Sequence, residues 1–166
     1  MSLLGGRRSA APPDPSTIAA SKILLASEGR EIPARAVEFT ADLAQRSGAS
    51  VRVFSVARIW GTSLGLPMPG LLPTRREWDE QRERVMTAVK ALRSRGVEAE
   101  GQVLATRKAT KRIVREAERH GCDVIVMGAD PSRNRVLEDL MWTQEPQRVQ
   151  RRAKVPVYLV QENDRQ

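Results

Sequence analysis

Cysteine, histidine and aromatic residues are scarce in this sequence. One cysteine, Cys122, and one histidine, His120, stand among 166 residues. A lone cysteine excludes an intramolecular disulfide and a multi-thiolate metal site, and it suits a reducing compartment, which points to the cytoplasm. A lone histidine excludes sites built on two imidazoles and leaves a Ser-His-Asp triad with a single candidate base. His120 precedes Gly121 at an expected helix end and reads as a capping residue, and Cys122 reads as an inert core thiol. No metal site is expected. Long apolar runs are missing too: residues 23–26 and 124–127 have strand length, far below the ~18 residues that cross a bilayer. Arg7 and Arg8 lack the following apolar stretch of a secretory leader. The P-loop, the Gly-x-Gly-x-x-Gly turn and the Gly-x-Ser-x-Gly elbow are absent. With no nucleophile–base pair and no metal cluster, the expectation is a protein that is not an enzyme.

What is abundant is positive charge. Lys and Arg number 28 against 20 Asp and Glu, a formal charge of +8 and a pI near 10.7. Such a balance favours anionic partners, or it reflects an arginine bias of a solvated surface. Hydrophobic and charged shares of 40% and 29% are those of a globular chain and exclude wholesale disorder.

Hydrophobic periodicity divides the chain. Residues 1–20, with Gly5-Gly6, Pro12-Pro13 and Pro15, carry neither helical nor strand period and read as a loosely packed extension. Strands are expected over 22–27, 50–56, 97–104, 122–127 and 155–160. Helices are expected from Pro33 to Gly48, from Thr74 to Gly96, over 109–120 and over 144–153. Ala36, Val37, Thr40, Leu43 and Ala44 form the inward face of the first helix. Trp78, Val85, Val89 and Leu92 do so in the second, and Ile113, Val114 and Ala117 in the third. Strictly alternating strands and helices predict an α/β, Rossmann-like three-layer sandwich, with a five-stranded parallel sheet and helices on both faces. One domain over 21–161 and a short tail at 162–166 complete the division. Ligands in such sheets bind beyond the carboxyl ends of the strands, which here are 27–30, 56–58 and 127–130.

Lys22-Ile-Leu-Leu-Ala-Ser-Glu-Gly29, residues 34–48, Asp123–Gly128 and 148–160, taken in order, resemble the universal stress protein family. The first is similar to its first strand and turn, and 34–48 to its first helix. Asp123-Val-Ile-Val-Met-Gly128 is similar to its most recognisable strand, and 148–160 to its last helix and strand. The resemblance implies a five-stranded parallel sheet, a cytoplasmic stress-response role and homodimerisation through the last strand. It also implies an ATP site in some members, built from an acidic residue after the first strand and a Gly-x-x-Gly, nine residues, Gly-Ser/Thr run after the fourth. On this chain the site would take in Ser27, Glu28, Val56, Met127, Gly128, Arg133, Arg135 and Thr143. The run is degenerate. Pro131 stands at the second glycine, removing a donor and fixing φ. Met141-Trp142 stand where Gly-Ser/Thr is expected, and Asp130 adds an anion beside the phosphates. Glu28, one methylene longer than the family's aspartate, has Arg30 beside it. These departures argue against ATP, so no cofactor is expected. The expected function is a non-catalytic, homodimeric regulatory module.

Two further features suggest partners. Lys108, Arg112, Arg115 and Arg119, with Lys111 nearby, share one side of the third helix, and Arg148, Arg151 and Arg152 cluster near the last one. Arginine forks fit phosphates, so the alternative reading is a binder of RNA, of the ribosome or of another polyanion such as an acidic protein. With no aromatics interleaved, recognition would be phosphate-led. Second, the loop 59–72 is rich in apolar groups: Trp60, Leu64, Leu66, Met68, Leu71 and Leu72. These either cap the sheet end or form a partner-binding arm.

Overall fold

The computed structural model describes residues 11–59, 72–129 and 144–162. Its elements are β1 (Lys22–Ser27), α1 (Ala34–Ser47), β2 (Ser50–Arg58), α2 (Arg75–Ser94), β3 (Ala99–Thr106), α3 (Ala109–His120), β4 (Val124–Ala129), α4 (Glu145–Arg152) and β5 (Val157–Gln161). The strands form one five-stranded sheet in the order β3-β2-β1-β4-β5. Every pairing is parallel. The α/β expectation therefore holds, and the strand order reverses between β1 and β4.

Period-2 alternation sends successive side chains to opposite faces. Ile23, Leu25, Val51, Val53, Val124 and Val126 pack under α1 and α2. Leu24, Ala26, Phe54, Val56, Ile125 and Met127 pack under α3 and α4. Both faces of β1 are thus covered, which is why 23–27 is apolar apart from Ser27 and wholly buried. α2 begins with a capping box, Thr74 and Glu77 each satisfying the other's backbone N–H. Its first turns stand away from the sheet, because burial begins at Val85. Trp78, expected inward, is half-exposed, with the Arg82 guanidinium 5.9 Å from its ring centre.

β3 and β4 each start two residues later than their hydrophobic runs suggest. The reason is capping. Gly121 takes φ 64° at the end of α3, and Cys122 N then donates back to Ala117 O at 2.9 Å. Val97 N likewise returns to Leu92 O at 3.1 Å. Both amides close helices before the chain can enter the sheet.

Residues 13–20, within the expected extension, make specific contacts with the domain. Pro15–Thr17 forms a 3₁₀ turn capped by Asp14. The Tyr158 hydroxyl donates to Pro13 O at 2.6 Å, Ile18 packs on the core and Ala20 is part of it. Residues 13–20 are therefore a strap along α1 and β5, anchored where the Asp123 carboxylate accepts from Ser21 N and Lys22 N at 2.7 and 3.0 Å. No helix among the described residues is long and apolar enough to cross a membrane.

Candidate functional site

The strand order brings the ends of β1, β2 and β4 together at the carboxyl edge of the sheet, the position where open α/β sheets hold ligands. A cleft of about 980 Å³ opens there, walled by Ser27, Glu28, Pro33 and Gly128 and by the facing sides of α1 and α2. Six of its wall residues are glutamates (28, 31, 38, 80, 83 and 162) and three are arginines (30, 84 and 95).

The turn after β1 is tied down by its own side chains. Ser27 is buried; its hydroxyl donates to Arg30 O and accepts from Gly29 N at 3.1 Å. Glu28 is 2% exposed and its carboxylate accepts from Arg30 Nε. From β2, Arg58 Nε donates to Glu28 O at 3.2 Å. From α2, Gln81 and Arg84 donate to Gly29 O at 2.8 and 3.0 Å, and Ser55 orients Gln81 through a 2.7 Å bond. Burial lowers the Arg58 guanidinium from its ordinary pKa, and the Glu145 and Glu28 carboxylates oppose that shift.

The N-terminus of α3 lies nearby and its amide is already taken. Glu145, buried at the start of α4, accepts from Thr110 N at 3.2 Å and from the Thr110 hydroxyl. Arg148 donates to the same carboxylate at 3.1 Å. A glutamate side chain thus holds the dipole position that an anionic ligand would need.

Of the residues expected to bind nucleotide, Ser27, Glu28 and Gly128 meet at the cleft. Val56 and Met127 are fully buried in the core under α3 and α4 and are not wall residues of the cleft. Gly128 has a packing role: a Cβ there would lie 2.6 Å from Pro33 Cδ and Cγ. Arg133, Arg135 and Thr143 lie outside the described residues, as do Pro131, Trp60, Leu64, Leu66, Met68 and Leu71. Leu72 is described and is 45% exposed. Gln81, Arg84 and Glu145 were not expected at this end of the sheet. Each is a polar residue on a helix that sequence alone reads as solvated, and only the strand order reveals what it faces.

The basic residues separate into two kinds. Lys108, Lys111, Arg115, Arg119, Arg148, Arg151 and Arg152 are exposed. Arg112, expected in the same row, is half-buried and turns toward Glu116, with N–O 4.0 Å. Glu116, which reads as a surface charge, is 1% exposed and also meets Arg52 at 3.2 Å. His120 binds that carboxylate at 2.9 Å, so its ring ties back into α3.

A sequence model of the Universal stress protein family matches residues 20–161. No curated protein matches the chain. Among solved structures, the universal stress protein from Archaeoglobus fulgidus in complex with dAMP is similar at 23% identity and a TM-score of 0.61, over 86% of this chain and 98% of that one. A protein from the universal stress protein family from Burkholderia pseudomallei is similar at 23% identity and 0.64, over 84% and 95%. An Arabidopsis thaliana member of that family with AMP bound is similar at 16% identity and 0.52, over 87% and 93%. At these identities the likeness establishes the fold.

Proposed function

The chain belongs to the universal stress protein family, and from that membership we propose a non-catalytic regulatory module that works as a homodimer and leaves its strand-end crevice without a nucleoside triphosphate. One observation carries the reading. The buried acid of the crevice is already spent within the chain, Glu28 on Arg30, and at the start of α3 Glu145 already takes Thr110 and Arg148. Beyond Glu28 and Arg30, the crevice wall carries five carboxylates against two guanidiniums. A triphosphate needs a surplus of donors and positive charge. Family structures do hold dAMP and AMP, so nucleotide is the ligand class to test.

The proposed dimer uses β5, which stands at one end of the strand order and, among the described residues, pairs with β4 alone, so its other edge offers itself to pairing. Light scattering after gel filtration is expected to give twice the 18.5 kDa chain mass. The nucleotide reading is tested by melting the protein with 5 mM ATP and with 5 mM AMP. A ligand present at 100 times its Kd adds about 2.7 kcal/mol, which for a chain of this size raises Tm by roughly 5–10 °C. A flat Tm is expected with both. A rise of that size with ATP would overturn the empty-crevice reading.

A further inference from the structure

The charge of the protein is concentrated on one of its two helical layers. Residues 107–120 and 144–154, which contain α3 and α4, hold ten Lys and Arg against three Glu. That is +7 of a total of +8. α1 and α2 together hold eight Lys and Arg against six acids. Two of their arginines are ion-paired, Arg76 with Glu80 and Arg82 with Asp79, and Arg95, just past α2, pairs with Glu38 and Asp42. On the α3–α4 layer two of the three glutamates, Glu116 and Glu145, are buried. Lys108, Lys111, Arg115, Arg119, Arg151 and Arg152 are exposed and, among the described residues, none of the six has an ion pair. Arg112, Arg148 and Lys154 take up the layer's three glutamates, which leaves these six bases outside and unpaired, so the layer is not an evenly solvated face.

From this asymmetry we propose that the α3–α4 layer is a docking surface for the backbone of double-helical RNA. The two helices pack side by side on the sheet, so neither projects far enough to enter a groove, and contact falls on phosphates and sugars. The α3 row from residue 108 to 119 is about 17 Å long at 1.5 Å rise per residue. It answers a ligand of dense, regular negative charge. The solvent side of α4 and its N-cap carries Gln144, Gln147, Arg148, Arg151 and Arg152, at i, i+3, i+4, i+7 and i+8. Amides donate and accept, as a 2′-hydroxyl does, and that group separates RNA from DNA. A membrane surface is disfavoured because the exposed large apolar residues among those described, Leu72 and Met86, lie on neither helix. The absence of aromatics from the layer disfavours stacked single strands.

The test is fluorescence anisotropy with a labelled RNA duplex of about 20 base pairs, from 50 to 250 mM KCl. Wild type is expected to bind, with log K falling linearly against log[KCl]. Lys111→Ala/Arg115→Ala/Arg119→Ala is expected to bind at least 10-fold more weakly at 100 mM, with the slope reduced by up to about 3. Arg75→Ala/Arg76→Ala/Lys90→Ala, on the opposite layer, removes equal charge and is expected to bind as wild type. All six positions are exposed, and equal far-UV spectra and Tm confirm that both variants fold. The proposal is overturned by no binding at 50 mM KCl and 50 μM protein. It is also overturned by equal losses in the two triple variants, by a DNA duplex of the same sequence binding as tightly, or by phosphatidylserine vesicles binding where RNA does not.

Discussion

Pro33 stands directly over Gly128: its ring carbons Cδ and Cγ lie 2.6 Å from the point a Cβ on residue 128 would occupy. The contact joins the entry of α1 to the end of β4, across the place where the strand order reverses. The proline expected to open α1 and the glycine near the end of β4 are here one packing unit. Gly128→Ala forces the ring or the strand to shift, and overpacking of this kind costs about 1–3 kcal/mol. Thermal melting is expected to show a drop in Tm of several degrees. Pro33→Ala in the same chain is expected to restore part of it, because the double variant removes the clash. Equal losses in the single and double variants would mean that Gly128 is required for its backbone rather than for the space above it.

Asp123 ties the start of β1 to the start of β4. Its carboxylate accepts from Ser21 N, Ser21 Oγ and Lys22 N at 2.7, 2.8 and 3.0 Å. These bonds, led by that from Lys22 N, hold its pKa below the ordinary value. Because the folded-state pKa lies below the unfolded one, the stabilisation is present above about pH 4 and lost as pH falls through the folded value. Asp123→Asn is expected to cost about 1 kcal/mol at pH 7. The gap between variant and wild type should be smaller at pH 2. Urea titrations at the two pH values measure it, and a gap undiminished at pH 2 would assign the cost to the hydrogen bonds alone.

Glu116 places a buried carboxylate between α3 and β2, in contact with Arg52, His120 and Arg112. Removing the carboxylate leaves the half-buried Arg52 and Arg112 guanidiniums without this acceptor, at a cost of about 1.5–3 kcal/mol. Glu116→Ala is expected to lower the urea midpoint accordingly. Glu116→Gln, which keeps the volume and one acceptor, is expected to lose less. Double-mutant cycles with Arg52→Met isolate the cross-element pair. A Glu116→Ala cost under 1 kcal/mol would mean that water reaches the pocket.

Much of the fold can be read from local signals. The α3 bounds follow from Gly121 and the apolar spacing of Ile113 and Ala117, and the β1 bounds from an unbroken apolar run. The alternation of strands and helices carried the sheet type and, with it, the position of the crevice. What escaped depends on partners distant in sequence. Glu116 and Arg112 sit on a basic helix and read as surface charges, because Arg52, which makes a buried site there, is 64 residues away. Glu145 caps Thr110 across 35 residues. Pro13 reads as part of a tail because its partner, the Tyr158 hydroxyl, is 145 residues on. Gly128 is visible as a glycine, but a phosphate loop and a close proline make the same demand for a missing Cβ.

Cys122 offers a reporter of how these layers open. It is 5% exposed and packs with Ile113, Ala117 and Val149 beneath α3 and α4. Burial pushes its thiol up to about 11, with Arg52 and Lys22 opposing. At pH 8 the thiolate, which is the reactive form, is then roughly one part in a thousand of the folded population. Ellman's reagent is expected to leave native protein almost unlabelled over minutes and to label it stoichiometrically in 6 M guanidinium. Because the thiol lies under α3 and α4, labelling in low denaturant follows the separation of this layer from the sheet. Glu116→Gln loosens the hold of α3 on β2 and should speed that labelling, whereas Gly128→Ala acts on the opposite face and should do so only through global stability. If both variants quicken labelling in proportion to their loss of global stability, the layer opens only when the whole domain unfolds. If Glu116→Gln exceeds that proportion, α3 opens as a unit of its own.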